Sequence, residues 1–148
     1  MIEARPRSFT FLVNNEITVL VSGQETGGAY CLMESTTPPG AGGNSLHTDP
    51  FLETFYLLDG ELEFTVDRNG KLVTFRPAVG EPVFIGHGQK HKFTCVGDRP
   101  ARALVVGLPS YEEFFRALAR AWPQDHWDPV ETPAAMAPVT KRFGVEFI

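Results

Sequence analysis

From about Phe9 to about Leu108 the chain is a succession of short apolar runs with period-two alternation, cut by glycine and proline turn signals. The candidate strands are 18–22, 29–36, 53–58, 61–66, 71–75, 82–85, 91–96 and 101–107. Between them stand Gly27-Gly28, Asp59-Gly60, Asn69-Gly70 and Gly97-Asp98. These pairs supply the positive φ angles that tight hairpins require. Many short strands at this spacing restrict the chain to an all-β sandwich or barrel, and closure would remove exposed strand edges.

The pattern changes after Pro109. Ser110 followed by Glu113 has the spacing of a capping box, and Tyr111, Phe114, Phe115, Leu118 and Trp122 recur at helical spacing up to Pro123. The expectation is an amphipathic C-terminal α-helix packed on the outside of the barrel, away from any interior site. Residues 124–138 are proline-rich and read as an extended wrap, and Gly144 to Phe147 as a last docked segment. At 148 residues one domain suffices, with the barrel over about 9–108 and the helix and wrapping tail over 109–148.

Net charge is −5, and the basic residues are scattered, which disfavours nucleic acid and anionic membrane as partners. No apolar run approaches spanning length and the N-terminus lacks a signal-peptide pattern, so the expected location is cytoplasmic. Cys31 and Cys95 are too few for a disulfide framework and too far apart for a CxxC motif; both read as reduced thiols.

Chemistry-bearing residues gather in two places. His47, Asp49 and Glu53 share parity with Phe51, Phe55 and Leu57, so a strand beginning before His47 would turn all of them to one side. His91, Phe93 and Cys95 share a face further on. Two imidazoles with one or two carboxylates inside a small barrel make a ligand set for iron, manganese, nickel or zinc. A glutamate facing inward between Phe51 and Phe55 requires a metal or hydrogen-bonding partner. Asp49 has three readings: ligand, support for a ligand, or turn-former before Pro50. Phe51, Phe55, Phe93 and Cys95 are candidate pocket-lining residues, whereas His87 and His126 read as surface histidines.

Two motifs carry a resemblance to the cupin superfamily. The first family pattern is a glycine-rich approach, His-x-His, three or four residues, Glu, six residues and Gly. Here it reads Pro38-Pro39-Gly40-Ala41-Gly42-Gly43, then His47-Thr48-Asp49, three residues, Glu53, six residues and Gly60. The second family pattern is Gly, five residues, Pro-x-Gly, two residues, His, three residues and Asn. Here it reads Gly80, five residues, Gly86-His87-Gly88, two residues, His91, three residues and Cys95. Asp49, Gly86 and Cys95 depart from it. A longer spacer would instead put Leu46 and Thr48 at the two histidine positions. The tail, Tyr111-Glu112-Glu113-Phe114-Phe115 and Arg142-Phe143-Gly144-Val145-Glu146, is similar to single-domain cupins of the quercetin-dioxygenase-like type.

The resemblance implies a jelly-roll β-barrel, a divalent transition metal held by His47, Asp49, Glu53 and His91, and a homodimer. It implies a metal-dependent, dioxygenase-like oxidoreductase acting on a small organic and possibly aromatic substrate, with Glu53 and His91 in catalytic roles. Two alternatives stand beside it: a non-oxidative isomerase, epimerase or cyclase using the same pocket, and a non-catalytic small-ligand-binding barrel.

Overall fold

In a computed structural model, which describes residues 4–123 and 126–148, the chain forms two antiparallel sheets and two helices. The first sheet has the order β1-β2-β3-β10-β5-β8, built from β1 (Ser8–Phe11), β2 (Asn15–Val21), β3 (Cys31–Thr37), β10 (Ala101–Gly107), β5 (Glu53–Asp59) and β8 (Pro82–Ile85). The second has the order β11-β4-β9-β6-β7, from β11 (Glu146–Phe147), β4 (His47–Thr48), β9 (His91–Cys95), β6 (Leu62–Arg68) and β7 (Lys71–Phe75). This is the expected jelly-roll arrangement; its two sheets face one another without a continuous ring of hydrogen bonds.

Alternation decides which side chains enter the core. Glu53, Phe55 and Leu57 of β5 are buried, and Phe55 and Leu57 join Leu62, Phe64 and Val66 of β6 in one core. Phe55 is the hinge of this contact, with its ring centroid 5.2 Å from those of both Phe64 and Phe93. The turns follow their sequences: Gly60 has φ 84°, and Asn69 and Gly70 have φ 57° and 84°. A Cβ at Gly60 would also stand 2.7 Å from Ala101 Cα, so the turn between β5 and β6 admits only glycine.

The first helix, α1 (Pro109–Ala121), forms where expected but starts differently. Leu108 is the N-cap and Pro109 occupies the first turn, where a missing N–H costs nothing. Ser110 and Glu113 form no capping box; Glu113 Oε1 instead accepts from Arg5 Nη1 at 2.8 Å. On the buried side Glu112, 1 % exposed, accepts from Gly23 N–H at 2.9 Å and Arg116 Nε at 2.9 Å, which ties α1 to the loop after β2.

The extended wrap expected over 124–138 is corrected. Gln124 and Asp125 lie outside the described residues, and from residue 131 the chain is helical: α2 spans Glu131–Phe143. Asp128 Oδ1 accepts the N–H groups of Val130 and Glu131 at 2.8 and 2.7 Å, satisfying donors at the helix start. Pro133 falls in the first turn, where proline is tolerated, and Gly144 closes the helix in the left-handed conformation at φ 75°. Only Pro138 sits in the helix interior. The docked segment after Gly144 is a true strand: β11 pairs with β4, Glu146 opposite Thr48 and Phe147 opposite His47.

Candidate functional site: a histidine–carboxylate cluster

The glycine-rich approach to His47 is ordered by β9. Phe93 N–H donates to Gly43 O at 3.0 Å, Cys95 N–H to Ala41 O at 2.9 Å, and Gly40 N–H to Cys95 O at 2.8 Å. The loop lies so close that a Cβ on Gly42, whose φ is 128°, would stand 2.6 Å from Phe93 O. Glycine is required there for close approach, and the loop delivers His47 beside His91 in register.

The second motif is braced just as locally. Gln89 accepts from Gly86 N–H at 2.8 Å and donates to Asp67 O at 2.7 Å, while Gly88 N–H donates to Asp49 O at 2.9 Å. The two motifs are therefore hydrogen-bonded to each other through their backbones.

At this junction four side chains converge. His47 and His91 stand with ring centroids 4.3 Å apart. His47 Nδ1 is 2.7 Å from Ser45 O, and His91 Nδ1 is 2.8 Å from Gln89 O. A carbonyl oxygen only accepts, so each Nδ1 donates to its carbonyl, and each ring turns its Nε2 to the interior. Asp49 Oδ2 lies 3.5 Å from His47 Nε2 and 3.4 Å from His91 Nε2, and Glu53 Oε1 lies 3.5 Å from His91 Nε2. Donor atoms of His47, Asp49 and His91 all lie within 4.8 Å of one another.

The single strand expected to carry His47, Asp49 and Glu53 on one face is corrected: a change of sheet, not parity, brings these residues together. β4 ends at Thr48 in one sheet and β5 begins at Glu53 in the other, so the chain changes sheets between them, turning at Leu52 with φ 52°. Asp49 is shared between the turn and the histidines. Its Oδ1 accepts Phe51 N–H at 3.0 Å, forming the turn, while its Oδ2 faces the histidines. Of the alternative histidine positions, Leu46 accepts the Ile148 N–H on its carbonyl at 3.1 Å and Thr48 stands opposite Glu146 of β11.

Two imidazole Nε2 atoms facing carboxylate oxygens in a buried site are held together by a shared cation or by protons. Among the described residues, His91 Nε2 is a buried polar atom without a hydrogen-bond partner. Burial alone would raise Asp49, but hydrogen bonds involving His47, Glu53 and Phe51 N–H outweigh it and hold its pKa at about 2. Burial, then the adjacent Asp49 carboxylate, pushes Glu53 well above the usual carboxylate range. Two imidazole nitrogens with their other nitrogens anchored on carbonyls, plus carboxylate oxygens, suit a first-row divalent metal.

The cluster opens on a cavity of about 840 Å³. Phe51, Phe55 and Phe93 line it; Cys95 does not, being buried with Sγ 3.4 Å from Arg99 O. The helix stripe is corrected as well. Tyr111, Phe114, Phe115 and Leu118 form one wall of the cavity, with Phe51 stacked on Tyr111 at 4.8 Å, so α1 closes the pocket rather than lying apart from it. Tyr111 is the residue that sequence reasoning missed. Burial and the charges of Glu53 and Asp49 push its hydroxyl well above the usual tyrosine value. The available signal was a lone hydroxyl in a stripe of phenylalanines, which needs a polar partner when buried. His87 and His126 are exposed, as expected.

The description Cupin domain matches residues 33–107, just over half of the chain, and these residues include both motifs. The chain is a cupin. No curated protein matches this cupin. Among solved structures it is similar to the DMSP lyase DddQ from Ruegeria pomeroyi DSS-3, at 26 % identity and TM-score 0.51, over 64 % of this chain and 46 % of that one. It is also similar to oxalate decarboxylase from Bacillus subtilis, at 21 % identity and TM-score 0.55, over 71 % of this chain and 27 % of that one. A Thermotoga maritima protein titled a predicted oxalate decarboxylase matches at 23 % identity and TM-score 0.55, over 72 % of this cupin and 98 % of that chain. This cupin thus spans less than half of the lyase and about a quarter of the Bacillus enzyme. The two oxalate decarboxylase likenesses carry the fold alone.

Proposed function

We propose that this cupin is a metal-dependent enzyme acting on a small organic, largely apolar substrate, with oxygenation as its reaction class. The observation that carries this reading is the unpartnered, buried Nε2 of His91 facing Asp49 and Glu53 at the inner end of a phenylalanine-lined cavity. His47, Asp49, Glu53 and His91 would hold iron, manganese, nickel or zinc. Such an ion, when bound, supplies Lewis-acid chemistry and, for iron or manganese, redox chemistry. Phe55 and Phe93 orient the substrate by ring contact, and the α1 wall excludes water from it. Glu53, beside Tyr111, takes or returns a substrate proton.

One observation favours a second, non-oxidative reading, as an isomerase, epimerase or cyclase. Asp49 and Glu53 are neighbouring carboxyls held at opposite extremes, one at about 2 and the other well above its usual range. That is the pairing needed for a base and an acid in one pocket. Oxygen uptake by the metal-loaded protein with apolar aromatic substrates supports oxygenation, and turnover that persists without oxygen and with chelator replaces it with the acid–base reading. A homodimer fits the outer face of the six-stranded sheet, where Tyr56, Phe84 and Val106 are 42, 62 and 38 % exposed; light scattering at a monomer mass would remove it.

A further inference from the structure

The cavity is distinctive for what does not line it. All thirteen lysines and arginines fall within the described residues, and none reaches the cavity wall. The most deeply buried of them, Arg116, is committed elsewhere: Nε donates to Glu112 at 2.9 Å, Nη1 to Pro6 O at 2.5 Å, and the guanidinium sits over the Phe9 ring at 5.3 Å. Arg5 and Arg7 pair with Glu112, Glu113 and Glu25, Arg76 with Glu63, Arg99 with Asp59, and Arg102 with Glu34. Arg68 lies over Phe75, and Lys90, Lys92, Arg120, Lys141 and Arg142 are exposed.

What the wall does carry is apolar, neutral polar or acidic, with His47 its one imidazole. Its carboxylic acids are Glu16, Asp49 and Glu53, and six phenylalanines line it: Phe11, Phe51, Phe55, Phe93, Phe114 and Phe115. A carboxylate entering here would lose its water without gaining a cationic side chain, and it would face two carboxyl groups at the inner end. A divalent ion held by both of those carboxylates would already be formally neutralised, leaving no net charge to offset a third. An uncharged molecule meets the opposite situation, because apolar surface is removed from water and aromatic rings are available to stack. At about 840 Å³ the cavity also exceeds the needs of a very small substrate and suits a molecule of one or more rings.

We infer that this cavity selects uncharged, ring-bearing apolar substrates and discriminates against carboxylate substrates. This rests on the reading of the cavity as the substrate site of the proposed enzyme and specifies its charge preference.

The experiment is calorimetric titration of the full chain, metal-free and manganese-loaded, with 2-acetylnaphthalene and 2-naphthoate, a pair matched in ring and carbonyl but differing in charge. Oxalate is the third probe. The expected result is binding of 2-acetylnaphthalene at least about tenfold tighter than 2-naphthoate in both forms, with no oxalate binding beyond its chelation of free manganese. Equal or tighter binding of 2-naphthoate or oxalate to either form overturns the inference, as does failure of both naphthalene probes to bind. If manganese is not taken up but the neutral probe is still preferred, the charge selection stands and the metal-dependent reading is the one that fails.

Discussion

The two histidines of the cluster stand side by side but are mounted very differently. His91 opens β9, which lies between β4 and β6, and its side chain is 1 % exposed. Glu53 opens β5, which lies between β10 and β8, and is 2 % exposed. Both are part of the packed interior. His47 belongs to the two-residue β4, which is held by one register pair to β9 and by the two-residue β11, and its side chain is 12 % exposed. The core therefore fixes one half of the site, whereas the other half depends on the chain's last segment and on the glycine-rich loop. Perturbing the first half should cost stability, and perturbing the second should cost site geometry at little expense in stability.

The largest effect is expected where the cavity wall is also core. Leu118 is 4 % exposed, so Leu118→Ala should destabilise the protein by about 2 to 5 kcal/mol in denaturant unfolding. Because α1 lines the cavity, binding of an apolar probe should weaken as well. Unchanged probe binding would return the helix to the outside position that its sequence suggested.

His91→Ala should follow, lowering manganese affinity by at least about a hundredfold, since it removes an imidazole whose orientation is fixed by Gln89 O. The sharpest comparison is Ile148→Pro. It deletes the N–H that donates to Leu46 O at 3.1 Å, beside the pairing of Phe147 with His47. Stability should change by about 1 kcal/mol or less. Manganese affinity should fall by roughly tenfold, the order expected for groups that orient a ligand. In the metal-free form, proton NMR should show the His47 ring disturbed and the His91 ring unchanged. Equal disturbance of both rings would erase the distinction between the two halves.

The smallest effect is on pH dependence. In the metal-free protein the folded-state pKa of Glu53 is raised, so its contribution to stability is fully present below the ordinary value near 4.5 and is lost as pH rises towards the folded-state value. Asp49, lowered to about 2, acts in the opposite direction: its contribution is present above 3.8 and is lost as pH falls towards 2. Urea midpoints measured at several pH values should therefore decline gently above about pH 5 in metal-free wild type, and this decline should vanish in Glu53→Gln.

What was legible in the sequence divides along the same line. The long strands announce themselves through alternation, and Gly60, Asn69 and Gly70 mark turns that need positive φ. Glu53 and His91 lie on such strands. β4 and β11 are pairs of residues, too short to show any period, and only pairing makes them strands: β11 with β4, and β4 also with β9. The helix α2 was hidden because three prolines lie in the region from Pro129 to Pro138, yet two precede or open the helix and only Pro138 interrupts it. Tyr111 was hidden because helical spacing tells which residues are buried, not that a sheet's polar cluster lies beneath them.

The central claim is that His47, Asp49, Glu53 and His91 form one metal site despite their unequal mountings. It is tested most directly by titrating the metal-free protein with manganese or zinc while following stoichiometry and the histidine resonances. The account predicts saturation at one ion per chain, with the His47 and His91 signals changing together and with Asp49→Ala losing the ion. Absence of saturable binding, a response from only one histidine, or undiminished affinity in Asp49→Ala would contradict it.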